Sequence, residues 1–310
     1  MFELLAAREP TFYFIGVTTG QSSIMKIFPK WADALGIKAV IKGIDLPLHA
    51  PEKEYRDVVN FLKNDSLSLG ALVTTHKLDL FRACKDMFDF IDPYAKKLGE
   101  VSSLSKRGIE FCAHAKDPIS SGMALEDFIP GSFWAEHGGE VLLLGAGGSS
   151  LAMSLYFSQK EAEHNRPRRI TIANRSEERL VSARTALSGC EKNIDFRFIH
   201  CPLPADNDRL VAALPPFSLI VNATGLGKDA PGSPTTDTVS YPKNCMVWEI
   251  NYRGDLIFMK QALLQKDNKN LHVEDGWNYF IYGWTQVIQE VFHITINAQQ
   301  LEQLSKLARN

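Results

Sequence analysis

Residues 141–150 read VLLLGAGGSS, and residues 170–179 read ITIANRSEER. The first is an apolar run of strand type feeding a glycine-rich turn; the second is another such run ending in Asn174-Arg175-Ser176. Gly145 suits a tight turn, and Gly147 lets backbone approach a pyrophosphate closely. The helix that follows, read over 150–159, offers its N-terminal N–H groups to phosphates. Ser150 stands where a third glycine would let helix and strand pack, and a small residue suffices there. Gly145, Ala146, Gly147, Gly148 and Ser149 are therefore candidate phosphate-cradle residues. Glycine-rich turns are common and a purely structural turn is the other reading, but here the turn follows an apolar strand, opens a helix and precedes a second strand. That is the context a dinucleotide site requires.

The end of the second strand selects the nucleotide. NAD sites ordinarily place Asp or Glu here to accept hydrogen bonds from the ribose 2′-hydroxyl. This chain has Asn174, Arg175 and Ser176, with Arg179 one helical turn on. Guanidinium groups suit a 2′-phosphate through bidentate, charge-assisted contacts, and Ser176 adds a hydroxyl and a helix cap. NADP is expected ahead of NAD. Glu177 and Glu178 either repel a phosphate or face water in the first helical turn, and a solvated helix start is the other reading of the arginines.

The 310 residues are 45% hydrophobic and 23% charged, ordinary for a globular protein and ample for two cores. A net charge of −2 leaves no electrostatic footprint for nucleic acid or an anionic membrane. Five cysteines without a CxxC spacing indicate neither a disulfide framework nor a zinc site, so no metal is expected. The N-terminal residues do not read as a signal peptide, and no apolar run reaches the length of a membrane span. A cytoplasmic protein, monomeric or homodimeric, with a small-molecule substrate is the expectation.

Strand and helix patterns alternate along the chain. Strands are read over 12–17, 39–44 and 69–73, with helices over 23–35 and 52–63; two shorter strands, 100–105 and 109–113, flank Lys106-Arg107-Gly108. Past the nucleotide strand, 194–199, 218–221 and 246–250 supply more strands, and the chain turns helical after Gly276. This is an α/β fold of two domains. An N-terminal α/β substrate domain (1–128, completed by C-terminal helices returning to it, 277–310) precedes a Rossmann-type, doubly wound nucleotide domain (129–276).

Further motifs follow in order: Gly-x-x-x-x-x-Ser (16–22), a strand ending in Lys77, Gly-Glu-Val-Ser-Ser (99–103), Asp117, GAGGSS, ANRSEER, Val-Asn-Ala-Thr-Gly-Leu-Gly (221–227), Tyr252, and Asp275-Gly276 before the last long helix. In this series the chain resembles the shikimate/quinate dehydrogenases from about residue 12 to residue 292. The resemblance implies Lys77 and Asp117 as the catalytic pair. A ketone reduced by hydride leaves an alkoxide that needs a proton. A lysine ammonium can stabilise that oxygen and deliver the proton, or as an amine accept one in reverse. A nearby carboxylate orients the lysine and raises its pKa, which favours electrostatic stabilisation. In isolation, such a lysine reads as a surface charge and such an aspartate as a helix cap. The resemblance also implies substrate contacts from Ser22, Thr74, Ser102, Gln286 and Tyr252. It places Asn222, Ala223, Thr224 and Gly225 along the nicotinamide ribose.

The pattern is broken around the substrate. Ile24 and Met25 replace a serine and a proline, Ala71 and Val73 an asparagine and a threonine, Ser102 an asparagine, and Gly283 a glutamine; a one-residue gap would let Thr74 stand for the threonine. Glu249 replaces a strand-end aspartate. A site built to bond particular hydroxyls rejects analogues lacking them, so losing several partners implies an altered substrate. Trp277, Tyr279, Tyr282 and Trp284 either reshape the pocket or belong to the core. Lys116 reads as surface-exposed or as a new anionic contact, and His76 as a polar loop residue or a proton relay. The expected function is NADP-linked interconversion of a secondary alcohol and a ketone on a small polyhydroxylated ring. The alternative is a non-catalytic NADP-binding sensor on the same fold.

Overall fold

The computed structural model describes residues 4–159, 165–190, 194–228 and 230–309. Two compact units divide the chain: Met1–Lys116 with Gly283–Asn310, and Asp117–Tyr282.

In the first unit β1 (Thr11–Gly16) is buried at every position, as a central strand covered on both faces must be. Helix α1 (Ile24–Leu35) buries Ile24, Ile27, Phe28 and Trp31 on one face and stops at Gly36, whose φ of 68° closes the helix. Then follow β2 (Val40–Asp45), α2 (Glu52–Asn64), β3 (Ser68–Val73), α3 (Lys77–Cys84), β4 (Phe90–Ile91), α4 (Pro93–Leu98), β5 (Ser103–Arg107) and β6 (Glu110–His114). The sheet order is β2-β1-β3-β5-β6-β4, parallel on the β1 side and antiparallel from β3 to β5 to β6. The hairpin strands run later than the sequence reading placed them. Gly108, at φ 63°, turns the chain almost alone, so Lys106 and Arg107 stay in the strand.

The second unit contains α5 (Asp117–Phe128), α6 (Phe133–His137), β7 (Val141–Leu144), α7 (Gly148–Gln159), β8 (Arg169–Asn174), α8 (Glu177–Ala186), β9 (Asp195–His200), α9 (Pro204–Ala212), β10 (Leu219–Asn222), β11 (Met246–Glu249), α10 (Ile257–Leu263), α11 (Lys266–Lys269) and β12 (His272–Glu274). Its sheet runs β12-β11-β10-β7-β8-β9, with every pair parallel. This is the doubly wound Rossmann order, and the winding reverses between β7 and β10. The four residues of β7 are fully buried, consistent with a central strand.

Helix α12 (Trp277–Phe292) begins in the second unit and ends in the first, and α13 (Ala298–Arg309) follows. The C-terminal helices complete the first core, as the sequence suggested. Phe292 lies 5.5 Å from Phe12 and 6.1 Å from Phe28, and Trp284 packs edge-on 5.0 Å from Phe14. Trp31 Nε1 donates to the Leu304 carbonyl at 2.8 Å, pinning α13 to α1. Trp284 is thus a core residue. Among the described residues no helix is long and apolar enough to cross a membrane.

Candidate functional site

The carboxyl ends of β7, β8 and β10 surround a cavity of about 530 Å³ at the point where the winding reverses. Ligands bind at this place in open α/β sheets, because diverging loops leave a crevice there. One wall is Gly145, Ala146 and Gly147; a second is Asn174, Arg175, Ser176 and Arg179; a third is Ala223, Thr224 and Gly225 with Leu226.

The glycine turn is built for close approach. Gly145 has φ +114°, and a Cβ there would sit 2.7 Å from the Ala223 carbonyl oxygen. A Cβ on Gly147 would meet no atom within 4 Å. Ser150, in the third-glycine position, is fully buried and donates its hydroxyl to the Gly145 carbonyl at 2.6 Å, closing the turn from inside. Gly145→Ala is expected to abolish nucleotide binding, since both the backbone conformation and the neighbouring loop exclude a methyl group. NADPH fluorescence titration on protein shown to be folded by circular dichroism would check this, and near-normal affinity would refute it.

At the second wall, Ser176 caps α8 by accepting from the Arg179 N–H at 3.4 Å, and Asn174 Nδ2 donates to the Ser176 carbonyl at 3.1 Å. His200 Nε2 lies 3.0 Å from the Arg175 carbonyl and holds that turn. Both guanidinium groups belong to exposed residues, and neither pairs with a carboxylate among the described residues. Glu177 and Glu178 are exposed and do not line the cavity.

Three predicted cofactor residues lie elsewhere. Gly148 starts α7, and Ser149 Oγ accepts from the Tyr279 hydroxyl at 3.3 Å. Asn222 is fully buried; its Oδ1 accepts from the Thr224 N–H (3.1 Å) and hydroxyl (2.6 Å), and its Nδ2 donates to Glu249 Oε2 at 2.7 Å. It shapes the third wall rather than facing the cavity. Sequence reasoning missed a fourth wall, Cys201, Pro202, Leu203, Pro204 and Asn207, joined by Ala230, Ser233 and Pro234. The available signal was position: the first five follow β9, so they emerge at the same edge as the other loops.

In the first unit, backbone bonds gather several predicted residues at one edge of the sheet. The Thr74 N–H donates to the Ile15 carbonyl, Val73 to Ser102, Lys77 to Thr74, and Val101 to Lys77. Lys77 opens α3 and is half-buried. Val73 is fully buried in the core, while Thr74 is half-buried with its methyl against Gly16, which settles which of the two leaves the strand. Ser22 is half-buried after a short turn that Thr19 ties to Asp45 Oδ1 through its N–H (2.8 Å) and hydroxyl (2.6 Å). The Ser102 hydroxyl accepts from the Lys116 N–H at 2.7 Å and so already carries a backbone contact. Gln286 is half-buried on α12. In the second unit, Asp117 opens α5 and is buried, while the Tyr252 ring packs at a tilt with its centroid 4.3 Å from that of Phe280 and the Lys228 ammonium 6.0 Å above it.

Two side readings are corrected. Lys116 is neither surface-exposed nor an open anion contact, because its ammonium lies 2.6 Å from Glu290 Oε2 with both side chains largely buried. His76 does lie in the turn before α3, but not as a solvated polar residue. It is 1% exposed, with Nδ1 2.9 Å from the Tyr55 hydroxyl, and burial holds its pKa below the ordinary value. A Ser105–His114–Asp92 row invites comparison with a hydrolytic triad, with Ser105 Oγ 3.4 Å from His114 Nε2 and His114 Nδ1 3.5 Å from Asp92. Ser105 is fully buried and Nε2 also faces Glu290 at 3.1 Å, so no ester reaches it.

A curated relative from Bacillus cereus (strain G9842), named shikimate dehydrogenase (NADP(+)), is 32% identical over 247 residues, spanning 77% of this chain and 79% of that protein. The chain belongs to the shikimate dehydrogenase family. A second relative of that name, from Methylobacterium radiotolerans, is 25% identical over 260 residues, 80% of each chain. Among solved structures, shikimate 5-dehydrogenase from Thermus thermophilus in complex with NADP(H) and shikimate matches with a TM-score of 0.69 at 18% identity, covering 96% of this chain and 99% of that one. Quinate dehydrogenase from Corynebacterium glutamicum in complex with NAD matches at 0.73 and 16%, covering 96% and 98%. At these identities the structural likeness establishes the fold. No protein-family model matches the sequence. As a shikimate dehydrogenase family member, the chain has the family's Rossmann-type unit, and the cavity lies where that fold binds nucleotides.

Proposed function

We propose that this chain, an NADP-dependent dehydrogenase of the shikimate dehydrogenase family acting on a CH–OH group, interconverts a secondary alcohol and a ketone on a small polyhydroxylated ring other than shikimate. The observation that carries the cofactor part is the cavity at the winding reversal, with the glycine cradle on one side and, on the other, two arginines that pair with no carboxylate among the described residues. The residues fit a dinucleotide: Gly145 and Gly147 admit a pyrophosphate, and Arg175, Arg179 and Ser176 offer charge and a hydroxyl to a 2′-phosphate. The bound nicotinamide supplies hydride exchange. Lys77 holds the reacting oxygen and gives or takes its proton, and Asp117 is the carboxylate of the catalytic pair. Ser22 and Thr74 contact the ring, with Gln286 and Tyr252 as further contacts.

Support for a changed ring comes from the first unit. Ala71 and Val73 are apolar and fully buried, and the Ser102 hydroxyl is engaged with Lys116. The decisive experiment is NADP⁺ reduction followed by absorbance with shikimate, quinate and a panel of cyclitols. Turnover confined to a cyclitol supports the altered ring, rapid shikimate oxidation refutes it, and no turnover with any ring polyol favours a sensor. Cofactor choice has its own test. The double change Arg175→Ala, Arg179→Ala is expected to weaken NADPH binding about tenfold to a hundredfold, from loss of charge-assisted contacts, and to leave NADH nearly unaffected. Equal losses for both nucleotides would sink the 2′-phosphate assignment.

A further inference from the structure

Behind the third wall of the cavity lies a buried carboxyl. Glu249, the last residue of β11, is 0% exposed. Three N–H groups converge on it: Asn251 N–H (3.0 Å) and Asn251 Nδ2 (2.7 Å) on Oε1, and Asn222 Nδ2 (2.7 Å) on Oε2. Both asparagines pass the constraint on to the loop that lines the cavity. Asn222 Oδ1 holds the N–H and hydroxyl of Thr224, while Asn251 Nδ2 also reaches the carbonyls of Thr224 (3.2 Å) and Leu226 (3.3 Å). The same loop carries the Ala223 carbonyl against which Gly145 is packed. Glu249 is not among the residues lining the cavity, yet two of the wall residues, Thr224 and Leu226, are bonded to its partners.

We propose that the Glu249 carboxylate is the positioning residue for this cofactor-binding loop, and that its negative charge sets how tightly the cavity holds the nucleotide. The inference rests on the reading of the cavity as the NADP site. A carboxylate accepts from all three donors with charge-assisted strength; a neutral acid binds the same N–H groups more weakly and brings a hydroxyl hydrogen into the cluster. Burial pushes Glu249 up to about 7, against the opposing effect of the Asn222 and Asn251 bonds and the Lys228 charge. The buried Tyr241 phenol, itself pushed above its ordinary value mainly by burial, is a further titratable group that feels the Glu249 charge. Loss of that charge near neutrality therefore weakens the bonds through which Asn222 and Asn251 hold the loop.

The test is nucleotide affinity against pH in the intact protein, read by NADPH fluorescence and repeated with NADH, which lacks the titrating 2′-phosphate. Wild-type affinity for NADH is expected to fall about tenfold from pH 8 to pH 6, the fall in ionised fraction for a group titrating near 7, and affinity for NADPH to fall by at least as much. Glu249→Gln, its fold checked by thermal melting, is expected to bind weakly and without that dependence on NADH. Asn251→Ala keeps the carboxyl and the backbone N–H at 251 but removes the side-chain donor, so its midpoint is expected to move to higher pH, a shift that a purely structural role would not produce. An NADH profile flat in wild type, or midpoints identical in wild type and Asn251→Ala, overturns the role of Glu249 alone. No binding of either nucleotide by wild type at any pH overturns the cavity assignment and this inference with it.

Discussion

Lys77→Ala is expected to lower kcat by about 10²–10⁴-fold with the ring substrate while leaving the NADPH dissociation constant within a factor of about two. The two halves of this prediction come from different places. Lys77 opens α3 at the edge where Thr74 and Ser102 are brought together by backbone bonds, and it is not among the residues lining the nucleotide cavity. On the proposed role of Lys77, removing it deletes the group that meets charge developing on the reacting oxygen, at a cost of about 3–5 kcal/mol of barrier by rate arithmetic. The backbone of the turn remains, since the Lys77 N–H and carbonyl bonds do not need the side chain. Steady-state rates and fluorescence titration on one preparation decide the matter. Turnover within about threefold of wild type would remove Lys77 from the chemistry, and a parallel loss of NADPH affinity would show a folding defect instead.

The second large effect concerns stability. Glu290, on α12, accepts from Arg107 (2.8 Å) and Lys116 (2.6 Å) and faces His114 Nε2 at 3.1 Å. Burial pushes its carboxyl up, but Lys116, Arg107 and His114 outweigh this and hold it at about 2. Because the folded value lies below the unfolded one, the stabilisation is fully present above about pH 4.5 and is lost as pH falls toward 2. Linkage puts it at about 3 kcal/mol. Glu290→Gln strands the largely buried Lys116 ammonium beside the fully buried His114. A loss of about 3–5 kcal/mol at pH 7 is expected, with a flatter acid limb in urea unfolding. A loss below about 1 kcal/mol would mean that the cluster relaxes into water and ties nothing.

How far the sequence could be read depends on the range of the interactions involved. The nucleotide unit was legible because its cues are local: VLLL must be a central strand, Gly145 needs a positive φ, and the arginines follow a strand end. Asn222 reads as part of the loop after the strand, whereas it ends β10 and braces that loop, because only the fold brings Glu249 beside it. Lys116 shows the limit most clearly. A lysine beside a candidate catalytic aspartate reads as solvated until α12, far along the chain, delivers Glu290 to it. His76 is the same case with Tyr55 as the distant partner. The helices α3 (8 residues) and α4 (6 residues) and the two-residue β4 were missed, since one or two turns hold too few periodic positions for the pattern to stand out.

The way α12 closes the first unit has a consequence for synthesis. Phe12 and Phe28 wait for Phe292, Trp31 waits for the Leu304 carbonyl, and Lys116 waits for Glu290, so the ribosome must complete the entire second unit before the first can finish. Until then the nascent chain presents an unfinished apolar face and an uncompensated cluster of cations, the kind of intermediate that holdase chaperones retain. Maturation of this enzyme is therefore governed by its last helices, and lesions there would show first as reduced soluble yield in the cell.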